Sequence, residues 1–572
     1  NGIGPRHTGD FSMFRVYASK DNRPAAYSPR NVPYRPKKHF TISTKGIKEG
    51  DFTMIYGFPG NTQEYILSDA VAYIAERSDP AKIAVRTGRL DIITKAQESD
   101  PALRIHYAAK HASIANAWKK WQGEALGIDR RGTVAAKFDY ETQFGLWSVG
   151  RPEYAGVVMG LRAEYDRIMD AYFAYEITRE TLSTLPAAYT PEERAEECFA
   201  RRKFAEQALW RHAFREYGRC PKVYRTPSYA EGMARYKSPE AYADALFEAV
   251  WEGSDSVAMQ PAVRLREETK RMLDHISWML GTKSLRNLNS KILNELYTTY
   301  IKGLREWDRE RAFYPDANLT LRVAYGSVAG YEYADGEYHK PQTTLDGIIA
   351  KDNPEIYDYD IPQSLRDLYA SKNYGRWGTV IDGRRTVPVC FLATNHTTGG
   401  NSGSPVLNAG GELIGINFDR TWRSTMSDVA FDPSICRNIA VDIRYVLFVV
   451  DRKDLDYQTM REYDKFERGT ANSNTSTAIL KRQLEDPEAK IIITTIQKLS
   501  VFIGRHAEHS VFRQKIVIIF DECHRSQFGD MHTAFTRKFK RYFLFGFTGT
   551  PIFAKNAVSG GKPNLRTTEQ AF

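Results

Sequence analysis

Across 572 residues no apolar run approaches the roughly 20 residues that a membrane helix needs, so no spanning helix is expected. The cysteines are few and irregularly placed. Cys198, Cys220, Cys390, Cys436 and Cys523 are scattered and never form a C-x-x-C pair, which argues against a disulfide framework and against a cysteine zinc site. A phosphate-cradling G-x-x-x-x-G-K-[S/T] loop is also missing: Gly281-Thr282-Lys283-Ser284 lacks the leading glycine and falls in helical sequence. No internal repeat is found. The first residue is Asn1, followed by no basic-then-apolar leader, so the chain is expected to be processed or a fragment. Charge of one sign is in only slight excess, a net +10 spread over the whole length, which points weakly toward acidic partners or nucleic acid. What remains, 42% hydrophobic and 26% charged residues, is the composition of folded, water-soluble domains.

Residues 10–17 and 51–57 are short runs rich in Phe, Met and Val, and the turn Gly57-Phe58-Pro59-Gly60 follows the second; both are expected as strands. From about residue 62 the period becomes helical. Leu161, Tyr165, Ile168, Tyr172 and Tyr175 recur at helical spacing, Thr190-Pro191-Glu192-Glu193 joins an N-cap, a first-turn proline and a capping-box glutamate, and Ser238-Pro239 repeats the start signal. Aromatic stripes of this kind mark a packed core. Near residue 317 the period returns to two, with short strands separated by Gly, Asn and Asp, and a β-barrel split by a helical insertion accounts for the order. Later, 491–495, 515–520 and 542–547 are hydrophobic runs alternating with helical sequence, as in a parallel sheet buried on both faces. The expected organisation is a partial first β-barrel (1–61), a helical cap (62–316), a second β-barrel (317–447) and a partial α/β lobe (448–572).

Gly399-Gly400-Asn401-Ser402-Gly403-Ser404-Pro405 is followed by strand, the turn Asn408-Ala409-Gly410-Gly411, and strand again. Glycines on both sides of one serine let the backbone fold so that the N–H groups of Gly400 and Ser402 point at one oxyanion while Ser402 Oγ stays exposed for attack. A plain Gly/Ser hairpin turn is the alternative. Asp10, at the head of an apolar run, stands ahead of Ser402 in the order of a chymotrypsin-like carboxylate and nucleophile. Taken with Pro5 to Ser12, Tyr56 to Gly60, Thr398 to Pro405 and Asp442-Ile443-Arg444-Tyr445-Val446, these motifs resemble the bacterial serine dipeptidyl peptidases known as dipeptidyl-peptidase 7 and dipeptidyl-peptidase 11, from residue 1 to about 450.

The resemblance implies a chymotrypsin-like double β-barrel with an inserted α-helical domain, the first barrel incomplete. It implies release of dipeptides from peptides with a free N-terminus, a periplasmic or cell-surface location, and no cofactor or metal. Ser402 would be the nucleophile and Asp10 the orienting acid; Asn1, Asn116 and Asp419 match the cluster that grips the substrate's α-ammonium; Arg420 matches the arginine of the acidic-specific type, where the type preferring apolar residues has glycine. Two departures stand out. Gly2 replaces the family's tryptophan, and the general-base histidine is expected well ahead of Asp10, in a region this sequence does not include. Neither His7 nor His396 is a good substitute, so almost no turnover is expected from the chain alone. A homodimer is compatible with the family.

Residues 515–520 lead into Asp521-Glu522-Cys523-His524, the strand-then-acid pattern that presents an aspartate to Mg²⁺ and a glutamate to water, and Thr548-Gly549-Thr550-Pro551 follows the next run. Asp521, Glu522, His524, Thr548 and Thr550 thus resemble helicase motifs II and III, and residues 448–572 resemble the RecA-like motor domain of the type I restriction endonuclease R subunit. ATP, Mg²⁺ and DNA are implied, yet without a phosphate loop neither nucleotide nor metal is expected to bind. The basic residues Arg537, Lys538, Lys540 and Arg541 suit phosphate contact or a solvated helix face equally. An exopeptidase works outside the cytoplasm and a DNA motor inside it, so a join of two unrelated pieces at residues 446–452 is expected, with the peptidase dominant.

Overall fold

The computed structural model describes residues 7–253, 256–281, 289–356, 359–450, 471–473, 477–486, 491–493, 496–506, 508–520 and 538–546. They fall into two compact units, one within residues 1–11 and 41–446, the other within 12–40 and 447–572.

The first unit is built on one antiparallel sheet. Its strands, in chain order, are β1 (Phe52–Gly57), β2 (Arg322–Ser327), β3 (Gln342–Thr344), β4 (Pro388–Ala393), β5 (Pro405–Leu407), β6 (Leu413–Arg420) and β7 (Asn438–Asp442), and in space they run β2-β1-β5-β6-β7-β4-β3. The sheet curls until β2 meets β4: Val328 bridges Ala393, and Thr394 N donates to Ser327 O at 2.9 Å. Closure removes the unpaired edges that an open sheet leaves. Ile55, Val328, Phe391, Val406, Ile414 and Ala440 fill the interior, and the alternation expected of a half-buried strand is seen along β1.

Two strand expectations need correction. Phe52–Gly57 is expected in a separate first barrel, but it is laddered on one side to β2, from Phe52↔Ser327 to Gly57↔Arg322, and on the other to β5 through Val406↔Ile55, so it belongs to the sheet that carries the Ser402 turn. Residues 10–16 form no ladder; Met13, Phe14 and Val16 are exposed, and only Tyr17–Ala18, in the second unit, pairs, with Val32–Pro33. An apolar run without a hydrogen-bonding neighbour gains nothing from its period.

Between β1 and β2 the chain runs through helices α1 (Ser68–Ala72), α2 (Asp79–Ser99), α3 (Pro101–Arg130), α4 (Thr133–Ser148), α5 (Val157–Glu180), α6 (Pro191–Ala195), α7 (Lys203–Tyr217), α8 (Pro227–Tyr236), α9 (Pro239–Glu252), α10 (Ser256–Met279) and α11 (Lys291–Trp307). The tyrosine stripe lies on α5, where Leu161, Tyr165, Ile168 and Tyr172 are buried. Thr190 and Glu193 form the capping box of α6, and Ser238 Oγ accepts from Ala241 N (3.1 Å) at the start of α9. Asp100 caps α3 by accepting from Ala102 N at 2.7 Å.

The join expected at residues 446–452 falls on a Val/Phe run whose composition suits a strand; of it, residues 446–450 are described. Instead Ile443–Val450 is helical: Asp442 Oδ1 accepts from Arg444 N (2.8 Å) and so supplies an N-cap that outweighs the β-propensity of the Val/Phe run. In the second unit, Ala471–Ser473 pairs in parallel with Ile491–Ile493, and Lys515–Phe520 with Arg541–Gly546. Leu480, Phe502, Ile503, Val511, Phe512 and Phe539 form its core. Among the described residues no helix is long and apolar enough to cross a membrane.

Candidate active site

The loop from β4 to β5 carries Ser402. Gly400 and Gly403 stand at φ +108° and +83°, conformations that a side chain would strain, and a Cβ on Gly400 would run into the Phe58 carbonyl. Absence of side chains there lets residues 58–60 lie against the turn at backbone distance, with Gly60 N donating to Gly399 O (2.6 Å). Buried Asn401 locks the loop to the barrel. Its Oδ1 accepts from Thr398 N (3.1 Å), its carbonyl accepts from Asn417 Nδ2 (3.1 Å), and Asn417 Oδ1 accepts in turn from Asn438 Nδ2 (2.9 Å).

Ser402 is exposed, and its Oγ donates to the Phe418 carbonyl at 3.3 Å. That carbonyl is available because the β6–β7 register shifts between Asn417 and Asp419, leaving Phe418 as the extra residue of a bulge. Among the described residues, the N–H groups of Gly400 and Ser402 are engaged in no hydrogen bond.

Ser402, Asp10, Asn116, Asp419 and Arg420 all line one cleft of about 1700 Å³. Its far wall is α3, held by two glycines one helical turn apart: a Cβ on Gly123 would meet Thr425 Oγ1 and the Trp422 carbonyl, and one on Gly127 would meet Met426. Trp422 Nε1 completes the dock by donating to Lys119 O (2.7 Å). Asn116 thus faces the cleft from α3, while Asp419 and Arg420 approach it from the end of β6. Asn1, Asp521, Glu522, His524, Thr548 and Thr550 lie outside the described residues.

No histidine among the described residues is hydrogen-bonded to Ser402 or Asp10. His7 packs its ring in the space left by Gly347. His396 is fixed elsewhere: Nε2 donates to Ser427 O (2.9 Å), Nδ1 lies 3.1 Å from Glu64 Oε1, and the ring stacks on Phe431 at 4.5 Å. Burial pushes the Glu64 carboxyl up to about 7 and pulls His396 below its ordinary value. Burial thus disfavours the charged form of both groups.

Arg420 is nearly buried and binds Asp428 through both ends of its fork, Nη1 to Oδ1 at 2.5 Å and Nη2 to Oδ2 at 3.0 Å; Nη1 also donates to Ser427 Oγ (2.9 Å). Its Nε makes no hydrogen bond among the described residues. Lys120 of α3 reaches the same carboxylate, Nζ to Oδ2 at 3.1 Å, and donates to Glu124 Oε2 at 2.7 Å. Burial alone would raise the Asp428 carboxyl, but Arg420 and then Lys120 hold it well below the usual carboxylate range; burial works against the charge on Arg420, and Asp428 more than offsets it.

Asp428 and Lys120 were not singled out from sequence. Asp428 had no local signal, since its role depends on how residues 422–428 fold back. Lys120 had one: Asn116, Lys120 and Glu124 follow one another at four-residue steps and share a helix face. Elsewhere His106, Glu196 and Cys198 cluster, but the Arg202 guanidinium already supplies the cation there, 2.6 Å from His106 Nε2 and 3.2 Å from Glu196.

A family model described as Peptidase S46 matches residues 3–196 and 187–455. The chain belongs to the peptidase S46 family. In enzyme class an S46 chain of this kind is a hydrolase, a serine-type dipeptidyl peptidase. The relatives include an Asp/Glu-specific dipeptidyl-peptidase of Capnocytophaga gingivalis, 39% identical over 498 residues, covering 79% of this chain and 68% of the relative. A Dipeptidyl-peptidase 7 of Phocaeicola vulgatus is 32% identical over 493 residues, with the same coverage of 79% and 68%. A crystal structure of Porphyromonas endodontalis DPP11 in complex with the dipeptide Arg-Glu superposes with a TM-score of 0.67 at 32% identity, over 79% of this chain and 70% of that one. S46 membership thus confirms the expected peptidase resemblance. A second model, described as SWI2/SNF2 ATPase, matches residues 425–572, and it names that broader class rather than the restriction R subunit.

Proposed function

We propose that the chain binds peptides by a free N-terminus and cuts after the second residue, with Asp or Glu preferred there. The observation that carries this is the placement of Arg420 in the cleft that holds Ser402, its Nη edge fixed by Asp428 and its Nε–H without a partner among the described residues. A guanidinium held in this way offers its Nε–Nη2 edge to an incoming carboxylate. The Asp/Glu-specific relatives and the dipeptide named in the solved DPP11 structure support the same reading.

In this reading Ser402 Oγ attacks the scissile carbonyl, the N–H groups of Gly400 and Ser402 receive the developing oxyanion, and Asn116 with Asp419 accepts hydrogen bonds from the substrate's α-ammonium. Asp10 would orient an imidazole as the acceptor of the serine proton; His7 and His396 are held in other contacts and do not serve, so among the described residues that acceptor is not supplied and the chain by itself should bind peptides with little turnover. The closed barrel is read as the second of a chymotrypsin-like pair, and a periplasmic or cell-surface location suits the activity. The SWI2/SNF2 match favours a second reading for residues 448–572 alone, a remnant of a RecA-like, ATP-driven DNA motor. Mg²⁺ and ATP carry no step in the peptidase.

The test is calorimetric binding of Arg-Glu and Arg-Leu together with turnover of dipeptidyl fluorogenic substrates ending in Glu or Leu. Arg-Glu should bind on the order of 10- to 150-fold more tightly, the ratio expected of one charge-assisted bond. Arg420→Gly should erase that ratio, and Ser402→Ala should abolish whatever turnover the chain shows. Equal affinity for the two dipeptides in both proteins would overturn the reading.

A further inference from the structure

Arg420 can donate to an acidic side chain through its remaining edge, but by itself it leaves that charge only partly compensated. Asp428 already neutralises it through a two-point bond, and a carboxylate arriving at its remaining edge meets the Asp428 charge at close range. The structure holds a second cation at that place. Asp428 Oδ2 is shared, 3.0 Å from Arg420 Nη2 and 3.1 Å from Lys120 Nζ, so the two cations are held on either side of one oxygen. We propose that Lys120 is a specificity-determining residue, and that it and Arg420 together receive the acidic side chain of the substrate, with Asp428 as the fixed spacer between them. This rests on the reading of Arg420 given above.

Three features support the assignment. An ammonium has three donors, and Glu124 and Asp428 accept two of them, which leaves one proton on a side chain that is a third exposed and lines the cleft. Glu124 is buried and holds the Lys120 ammonium, so the ammonium is already oriented and loses little freedom on binding. Lys120 also lies one helical turn beyond Asn116 on the face of α3 that the glycine dock presses toward residues 422–428. One helix thereby supplies both an acceptor for the substrate's amine and a cation for its second side chain, and the spacing between them sets the position of an acidic residue relative to the N-terminus.

The chain as it stands is titrated with Arg-Glu, Arg-Asp and Arg-Leu in the wild-type, Lys120→Met, Lys120→Arg and Arg420→Gly forms. Lys120→Met should weaken Arg-Glu and Arg-Asp binding about 10- to 100-fold, as loss of one charge-assisted bond does, and leave Arg-Leu within about twofold. Lys120→Arg should restore most of the loss. If Lys120→Met keeps the acidic-to-apolar ratio while Arg420→Gly loses it, the proposal fails and the role of Arg420 stands. If neither variant changes the ratio, the reading of Arg420 fails with it. Equal weakening toward all three dipeptides in Lys120→Met would mean that Lys120 only props Asp428, and would also overturn the proposal.

Discussion

Glu64 and His396 join three segments that shape the cleft: the stretch after β1, the loop that leads to Ser402, and residues 422–428. Asp316, Tyr314, Lys137 and Arg311 surround Glu64, while Asp428 and Arg420 face His396 from the other side. The Glu64 carboxyl rises from an ordinary 4.5 to about 7, so the folded chain keeps a proton that the unfolded chain has released. Its contribution to stability is complete below 4.5 and is lost as pH climbs through 7. The lowered His396 acts in the opposite sense, adding stability as pH rises through its unfolded value of 6.5. Glu64→Gln removes the carboxyl's share alone. Relative to wild type it should gain on the order of 2–3 kcal/mol between pH 5 and pH 8, as read from denaturant midpoints. Parallel pH profiles for the two proteins would show that the carboxyl is not held protonated. This pair was only half legible in sequence. His396 stands six residues from Ser402 in the sequence, but its partner lies more than 300 positions earlier, and what fixes it is tertiary contact rather than spacing.

The Ser402 turn shows how far local pattern reaches. Gly399 to Pro405 read directly as a tight turn with an exposed serine, and the glycines at positive φ bear that out. Less visible was why Gly57 must be glycine: a Cβ there would run into Ser404 Oγ and Asn401 Nδ2, so β1 supports the turn from beneath. Gly57→Ala should cost about 1–3 kcal/mol by overpacking and weaken dipeptide binding. By contrast Gly145, inside α4 with nothing near its missing Cβ, should tolerate alanine with a gain of roughly 0.5–1 kcal/mol. The same ranking of melting temperatures for both variants would contradict the packing argument. Where pattern misled, the reason was a missing partner or an unrecognised cap. Residues 10–16 have the composition of a strand and no neighbour to pair with among the described residues, while Asp442 turns a Val/Phe run into helix. The helical segment was legible for the opposite reason, since capping boxes and aromatic stripes are local and need no distant confirmation.

Two compact units with separate cores should melt as separate cooperative events. Scanning calorimetry with and without Arg-Glu should show one transition move and the other stay, because the cleft residues belong to a single unit. At about 100 times the dissociation constant the moving transition gains about 2.7 kcal/mol. Movement of both would mean that the units unfold together. The insertion of eleven helices, counted among the described residues, between β1 and β2 has a further consequence, for the order of events in folding. These strands are neighbours in the barrel, yet about 260 residues separate Gly57 from its partner Arg322, and closing a disordered loop of that length is entropically unfavourable and slow. The helices form most of their contacts with one another and can collapse first, bringing the two ends of the insertion together. The barrel should then zip around a gap already shortened, with the wall that holds Asn116 and Lys120 complete before the strand beneath the Ser402 turn is laid down.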